Sequence, residues 1–386
     1  MMPADISTIA LTDPTGLGRH WQVRHLRPVW RVTVKGQDVS SRIAPRLVSL
    51  TITDNQGGQS DEVEIVVSDH DGALTLPETG DPITVAIGWQ ASADTWGNPG
   101  TSGQDRNGPP PPMPPLGLID KGAYTITAVE YSGAPDTITI RAHAANLIDT
   151  LRDVKDRSWH KTTVGVIVRS IAAQNSLKVS IDKEIETRKI AHADQAQESD
   201  VSFLRRLGQQ MDCLCSVKND TLLFSQARKA QTPSGKPLPP ITITRSSGDQ
   251  HRWARADRDA YSGVKAFYNN VKRGTRSSVV AGISGRAKTL RQTFASQQDA
   301  LAAARAEWLR IQRGIYSFDI TLAYGRADLM PQRPVIVRGY KPQIDDTAWI
   351  VTSVRHSLSS SGYTSQITLE TQQAEGVEGE EGAEED

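Results

Sequence analysis

The sequence has little of what secreted, metal-binding or membrane proteins are built from. Only two cysteines occur among 386 residues, Cys213 and Cys215, and two thiolates alone do not complete a structural zinc site. We expect both to be buried thiols without a disulfide. No apolar run approaches the roughly 20 residues that cross a bilayer, and residues 1–19 lack the basic-then-apolar layout of a secretory signal. The sequence therefore predicts a soluble protein, with no membrane insertion, that is made and assembled in a cytoplasm.

Signatures of the common enzyme classes are missing as well. The sequence contains no Gly-x-Ser-x-Gly elbow, no phosphate loop ending in Gly-Lys-Ser/Thr, no His-Glu-x-x-His and no dinucleotide fingerprint. His192, Asp194 and Glu198 lie close enough in sequence to form a metal or acid–base group. The segment from Glu198 to Asp200 is also a good helix start, where acidic side chains interact favourably with the helix dipole. We therefore predict no catalytic residue, no metal ligand and no cofactor-binding residue, and a protein that is not an enzyme.

Two further groups of polar residues have ordinary structural explanations. His356 lies on a predicted strand with no acidic residue beside it, so we expect it at a surface or an interface rather than acting as a base. Asp345 and Asp346 precede Trp349 in a predicted turn, where exposure of the loop to solvent accounts for them. Neither group of residues predicts a catalytic or ligand-binding role.

Net charge is zero, but the two signs are distributed unevenly. Of the 44 acidic residues, seven lie in the last twelve positions, so the rest of the chain has 44 basic and 37 acidic residues, a charge of +7. This terminal stretch has almost no apolar content, and we predict that residues 373–386 form a disordered acidic tail. Such a tail is compatible with two roles: it screens a basic surface, or it simply keeps the protein soluble.

The first third of the chain shows the alternation that is typical of strands. Trp30, Val32 and Val34 alternate with polar residues, as in a half-buried strand. Similar alternation recurs over residues 47–53, 62–67, 83–87, 124–130 and 137–141. Short strands separated by turns predict a small barrel or sandwich. Residues 90–117 interrupt the pattern with proline and glycine, so we expect either a tolerated insertion at a hairpin tip or a partner-binding arm.

The composition then changes twice. Helical spacing over 146–151 and 163–174, a helix that starts at Ser199 or Asp200 and a hairpin near residue 219 predict an α+β module. After a proline-rich linker, strands return together with one helix, capped by Ser296 and closed by Gly314. The predicted fold is thus mainly β, with two small β-barrels flanking an α+β module. The predicted boundaries are an N-terminal arm at 1–28, a first barrel at 29–145 with its Pro/Gly-rich loop at 90–117, a middle domain at 146–230, a second barrel at 231–372 with a long helix at 296–313, and the acidic tail.

One basic stretch stands out in the predicted second barrel. Between Lys236 and Arg276 there are nine lysines and arginines, interleaved with aromatic residues. The aromatic residues are Trp253, Tyr261, Phe267 and Tyr268. Basic charge combined with aromatic rings is typical of single-stranded nucleic-acid binding, but the same rings alternate with small apolar residues as they do in strand cores.

Two sequence blocks resemble the phage late control protein D family, the tail-hub proteins of contractile phages. The first block is Gln195-x-x-Glu198-Ser199-Asp200-x-x-Phe203-Leu204-Arg205-Arg206-Leu207. The second is Gly325-x-x-x-Leu329-x-Pro331-x-x-Pro334, followed by Trp349-Ile350-Val351 and by Gly362-Tyr363-x-Ser365. The sequence departs from the family pattern at Met211-Asp212-Cys213, where a glycine is expected, and at Pro334, which replaces a glycine. The resemblance spans about residues 30–371.

The resemblance implies a structural role in the virion tail or baseplate, or in a tail-like particle, assembled in the cytoplasm of a bacterial host. Family members form homotrimers in which each chain supplies two similar tube-type barrels, so that three chains present a near-sixfold ring. Such a ring meets the tail tube protein or a tube initiator on one side and the central spike protein on the other. Other baseplate proteins are further expected partners, and DNA passing through the lumen is a further possibility. No cofactor is implied.

Two other functions remain as alternatives at this stage. A cell-wall hydrolase at the tail tip would need a helical insertion and paired carboxylates, for which no segment is spare. A nucleic-acid-binding late regulator would use the basic stretch and would bind DNA in a salt-sensitive way.

Overall fold

The structure is a computed structural model that describes residues 26–57, 60–91, 114–144, 149–218, 221–227, 230–232, 235–255, 261–270 and 274–372. The predicted acidic tail, most of the N-terminal arm and most of the Pro/Gly-rich loop lie outside the described residues. Along the chain lie a first β module, a middle module and a second β module.

The first β module is built from strands whose inward side chains alternate with outward ones, as the sequence predicts. Its elements are β1 Leu26–Val34, β2 Gln37–Asp38, α1 Ser40–Ile43, β3 Leu47–Asn55, β4 Glu62–Ser68, β5 Pro82–Ala91, β6 Gly117–Ser132 and β7 Thr137–Ala144. They pair in the order β3-β4-β7-β6-β5-β1-β2. Ile52, Ile65, Ile87 and Ile126 are among the residues that form its core.

The middle module has its own apolar core. Its elements are α2 Asp149–Arg152, β8 Val154–Thr163, α3 Val164–Gln174, β9 Lys178–Ile181, α4 Lys183–Glu186, β10 Lys189–Ser199, α5 Asp200–Gln209, β11 Cys213–Lys218 and β12 Thr221–Gln226. Thr163 and Ser199 cap α3 and α5 through their side chains, which accept backbone N–H groups. The two-stranded antiparallel sheet of β8 and β10 was not predicted, because its residues are polar on both faces and give no period-two signal.

The second β module contains an inserted sheet that the sequence did not predict. The elements are β13 Ile241–Thr244, β14 Gly248–Arg255, β15 Gly263–Asn270, β16 Thr275–Gly282, β17 Ala287–Phe294, α6 Gln297–Arg313, β18 Tyr316–Leu322, β19 Pro334–Arg338, α7 Pro342–Asp345, β20 Trp349–Ser359 and β21 Gly362–Thr371. The bounds of the helix predicted over 296–313 agree with α6, and Ser296 caps it. The helix packs on the separate sheet β16-β15-β17, and its core is distinct from that of the second β module.

Small side chains explain why α6 lies on that sheet. Ala300 and Ala304 face Val264 and Ala266 in a core separate from that of the second β module. Short side chains on both surfaces let the helix approach the strands closely. At its end, Arg313 forms a buried ion pair with Asp212 of the middle module, which fixes the inserted sheet against that module.

The two β modules repeat one topology. Six strands of the first follow the order β3-β4-β7-β6-β5-β1, and six strands of the second follow β14-β18-β21-β20-β19-β13, each in the same sequence along the chain. The inserted sheet and α6 enter the second module between β14 and β18. One direction differs, since β1 runs antiparallel to β5 whereas β13 runs parallel to β19. The strands of the two β modules join into one continuous sheet, whereas the sequence predicts two separate barrels.

Candidate functional site

The two β modules meet edge to edge along β3 and β20. Seven antiparallel residue pairs join these strands, from Ser49 opposite Ser359 to Asn55 opposite Ser353. On their other sides, β3 pairs with β4 and β20 pairs with β21. Backbone pairing therefore runs without interruption from one module into the next. We call this junction the seam.

Matching irregularities show that the repeat holds at the level of single residues. The pairing of β20 with β21 skips Thr352, and the pairing of β6 with β7 skips Thr127. Each skipped threonine donates its hydroxyl to a carbonyl across the ladder, at 3.0 Å and 3.3 Å respectively. In the same way, β3 skips Val48 against β4, and β14 skips Asp249 against β18. A bulge fixes the local register, so β20 corresponds to β6 and β3 to β14, residue by residue.

Aromatic side chains cover one end of the seam. Trp89, at the end of β5, donates its indole N–H to the carbonyl of Gly325 at 2.6 Å. Its ring lies 5.3 Å from that of Tyr363 and 5.7 Å from that of Tyr324. A tryptophan of the first module's core thus also contacts the second module, including Gly325 and Tyr363 of the sequence block that resembles the hub family.

Gly325 lies where no side chain fits. A Cβ at this position would be 2.5 Å from the Tyr363 ring. We expect Gly325→Ala to lower the free energy of unfolding by about 1–3 kcal/mol, as overpacking does in cores. Urea unfolding measures the loss. In a Tyr363→Leu background the ring is gone, so the cost of Gly325→Ala should shrink; an unchanged cost would show that the ring contact is not its cause.

A buried ion pair lies beside the aromatic residues. Lys121 Nζ is 2.8 Å from Asp54 Oδ2, and both side chains are almost fully buried. The same ammonium donates to the carbonyls of Ala327 at 3.4 Å and Leu329 at 3.3 Å. Lys121 and Asp54 belong to the first module and the two carbonyls to the second. One lysine therefore neutralises a carboxylate and binds the loop of the neighbouring module.

His356, expected at a surface or an interface, is buried at the seam. The Tyr363 hydroxyl lies 3.0 Å from its Nδ1 and the Ser365 hydroxyl 2.8 Å from it. Burial, with a smaller contribution from the nearby positive charge of Lys121, lowers the pKa of His356 well below its ordinary value of 6.5. The imidazole is therefore neutral in the folded chain at neutral pH.

Because this pKa is lower in the folded state than in the unfolded state, protons favour unfolding. Stability from this group is present above pH 6.5, the ordinary value, and is lost as the pH falls toward the folded pKa. We expect His356 to contribute a loss of about 1 kcal/mol between pH 6.5 and 5.5. Across this range the free energy of unfolding should depend less on pH in His356→Gln than in the original chain. His70→Gln, at an exposed position, should show the same pH dependence as the original chain. Equal slopes in all three proteins would contradict the assignment.

Of the three residues considered as an acid–base group, His192 and Asp194 contact each other, and Glu198 has a different partner. His192 Nε2 lies 2.7 Å from Asp194 Oδ2, and its Nδ1 lies 3.0 Å from Nδ1 of His160. Hydrogen bonds from Ser158 first, and then from His192, lower the pKa of Asp194. Glu198 instead forms an ion pair with Arg206 at 2.8 Å.

The predicted helix start has a structural role. Ser199 is the cap of α5, and Asp200, the first residue of the helix, is fully buried. Lys155 Nζ lies 2.6 Å from the Asp200 carboxylate, and Gln195 donates to it at 2.9 Å. The first family-like block thus builds the joint between β10, α5 and β8.

Other polar groups singled out in the sequence also serve the fold. Asp345 accepts the backbone N–H groups of Gly339 at 2.8 Å and Tyr340 at 3.1 Å, so it shapes the turn before β20. Cys213 is buried and Cys215 is partly buried, and neither forms a disulfide. Burial raises the pKa of Cys215 to about 12. Across the residues that the structure describes, His, Cys, Asp and Glu side chains form no group of three or more that could hold a metal ion.

None of the helices in the described ranges is long and apolar enough to cross a membrane.

The aromatic residues of the basic stretch are divided between two sheets. Trp253 lies on β14 and stacks on Tyr316 with ring centroids 5.8 Å apart. Phe267 and Tyr268 lie on β15 of the inserted sheet, where the Arg276 guanidinium is 3.9 Å from the centroid of Phe267. They do not form the single stacking platform that the nucleic-acid interpretation requires.

Sequence comparisons agree with the two family-like blocks. The family model described as phage tail baseplate hub (GPD) matches residues 63–362. The probable baseplate hub protein of Escherichia phage 186 is 36% identical over 386 residues, covering 89% of this chain and 93% of that protein. The probable baseplate hub protein of Escherichia phage P2 is 35% identical over 385 residues, with the same coverage of 89% and 93%.

Solved structures show the same fold at low sequence identity. The tail protein from Neisseria meningitidis MC58 matches with a TM-score of 0.61 and 13% identity, covering 89% of this chain and 96% of that one. The 43 kDa tail protein of prophage MuSo2 from Shewanella oneidensis matches with a TM-score of 0.60 and 13% identity, covering 89% and 98%. The family model and the two phage relatives cover most of the chain, and they confirm the resemblance found in its sequence: the chain belongs to the phage tail baseplate hub family.

Proposed function

We propose that this protein is a structural hub whose trimer joins a sixfold tail tube to a threefold central spike. The observation that carries the proposal is the seam between two β modules of equivalent topology. Three chains would supply six such modules, so one face of the ring would present nearly sixfold contacts while the ring as a whole stays threefold. The hub then binds the tube and the spike through shape complementarity and interface area, and no covalent chemistry is needed.

The seam suits this role because it fixes the angle between the modules. Seven backbone pairs, the Lys121–Asp54 ion pair and the Trp89 contacts all hold the modules in one arrangement. A loosely tethered pair of modules would lose entropy on forming a ring, whereas a fixed pair has lost it during folding. The chain is therefore prepared for assembly before it meets a partner.

The expected setting follows from the same role. The partners are the central spike protein, the tail tube protein or its initiator and other baseplate proteins, with DNA passing through the lumen in a DNA-carrying particle. Assembly takes place in the cytoplasm of the bacterial host, and the finished hub lies in the virion baseplate. The protein acts without catalysis: Glu198, the acid considered for a hydrolase, is engaged with Arg206.

Native mass spectrometry tests the proposal. The full chain is co-expressed with the spike protein of the same particle, and the expected complex contains three copies of the chain. A stable complex with two or four copies would overturn the proposal. A chain that is monomeric alone but threefold with the spike would show that the spike templates the ring.

A further inference from the structure

Two strand edges in the β modules correspond to the two edges that form the seam. Within the described residues, β14 pairs only with β18, and the segment Ala128–Ser132 of β6 pairs only with β7. By the repeat, β14 is the counterpart of β3, and this part of β6 is the counterpart of the part of β20 that pairs with β3. Each chain therefore closes one such junction internally, and in the part of the chain that the structure describes its two equivalent edges have no strand partner.

The geometry points to a second junction of the same kind, between β6 of one chain and β14 of the next. This inference rests on the proposed trimer and names the surface that forms it. In a ring of three chains, each open β14 edge meets an open β6 edge, so the sheet continues around the ring as it does across the seam. The occupant of each edge is a second copy of this chain.

The matching bulges give the register of this junction. At the seam, His356 lies opposite Ile52, and each is four residues beyond the skipped residue of its strand. Four residues beyond the skipped Thr127 of β6 is Tyr131, and four residues beyond the skipped Asp249 of β14 is Trp253. Tyr131 of one chain should therefore lie opposite Trp253 of the next.

The exposure of these residues supports the register. Tyr131 is 52% exposed and Trp253 is 36% exposed, whereas their counterparts at the seam, His356 and Ile52, are 1% and 0% exposed. Large aromatic side chains on an unpaired strand edge invite pairing with another strand. The derived register brings together two aromatic side chains that the single chain leaves in solvent, as an aromatic cross-strand pair.

Charge is complementary along the same register. Ser132 would lie opposite Arg252, and Glu130, on the same face, would lie diagonally across from that arginine, within reach of long side chains. Arg252 and Glu130 are both exposed in the single chain. Arg252 of β14 thus finds an acidic partner on the neighbouring chain, so this arginine serves an interface between copies rather than a nucleic acid.

Cross-linking tests the register directly. Tyr131→Cys and Trp253→Cys are introduced together into the full chain, which is co-expressed with the spike protein and mildly oxidised. Directly opposite residues in an antiparallel pair have the Cα separation that a disulfide requires. We expect a covalent trimer on a non-reducing gel. The matched control combines Tyr131→Cys with Ala254→Cys, which faces the other side of the sheet, and should cross-link at least about tenfold more slowly.

Native mass measured on the same samples separates the possible failures. A threefold complex in which the 131–253 pair does not cross-link, or links no faster than the control, would overturn this junction and leave the trimer intact. Absence of any threefold complex would overturn both the junction and the proposed function. As a second measurement, Glu130→Arg should weaken the trimer by about tenfold, and adding Arg252→Glu should restore it; a loss without restoration would contradict the register.

Discussion

Replacing Lys121 with methionine is expected to lower the free energy of unfolding by about 3–5 kcal/mol, because the change leaves the Asp54 carboxylate buried without its cation. The variant also loses the donor to the carbonyls of Ala327 and Leu329, so the loop of the second module loses two of its contacts with the first. Urea unfolding of the isolated chain, followed by tryptophan fluorescence and by circular dichroism, measures the loss and shows whether the two modules still unfold together.

Two variants separate the buried charge from a general effect of removing a lysine. Lys35→Met removes an exposed lysine that lies 2.9 Å from Asp81, and we expect it to cost less than about 1 kcal/mol. Adding Asp54→Asn to Lys121→Met removes the unpaired charge and should restore more than half of the lost stability. If the Lys121 and Lys35 variants lost equal stability, the seam would not depend on its ion pair.

Local features of the fold could be predicted from the sequence because they depend on neighbours along the chain. The alternation at Trp30, Val32 and Val34 belongs to β1, and the helix caps at Ser199 and Ser296 begin α5 and α6. In each case the signal and the structure lie within a few residues of one another.

The seam could not be predicted in this way. Asp54 and Lys121 each look like ordinary exposed charges in a strand pattern, and Trp89 looks like the last apolar residue of a strand. The roles of Trp89 and Lys121 depend on residues more than 200 positions away along the chain, among them Gly325 and Leu329. Only the family-like block around Gly325 indicated that this region matters, and it did so without indicating a partner. The inserted sheet under α6 was missed for the same reason, since alternation shows that a strand exists but not which sheet it joins.

Duplication changes how single residues in this chain should be interpreted. A residue at the seam and its counterpart on an open edge occupy equivalent backbone positions but carry different side chains. His356 and Ile52 are buried within one chain, whereas Tyr131 and Trp253 remain partly exposed in it. The seam thus forms when the chain folds, and the edges of β14 and β6 keep apolar surface available for the proposed assembly.

Replacing Trp89 with alanine is expected to have the second large effect, a loss of about 3–5 kcal/mol in the free energy of unfolding. The change empties the space between the Tyr324 and Tyr363 rings and removes the donor to the Gly325 carbonyl. Thermal and urea unfolding of the isolated chain measure it. Trp89→Phe should recover part of the loss by refilling the space, while the Gly325 carbonyl stays without its indole donor.

Trp253→Ala is the matched control, because it removes the same side chain from the open edge of β14. In the isolated chain Trp253 is partly exposed and stacks on Tyr316, so its removal should cost about 1 kcal/mol or less. Trimer formation in the presence of the spike protein should instead be affected more by Trp253→Ala than by Trp89→Ala. The Trp253 variant should fail to form the trimer while the chain stays folded. Wherever the Trp89 variant still folds, at low temperature or without denaturant, it should keep its capacity to form the trimer. If both variants lowered the free energy of unfolding and the amount of trimer in parallel, the seam and the open edge would not have separate roles.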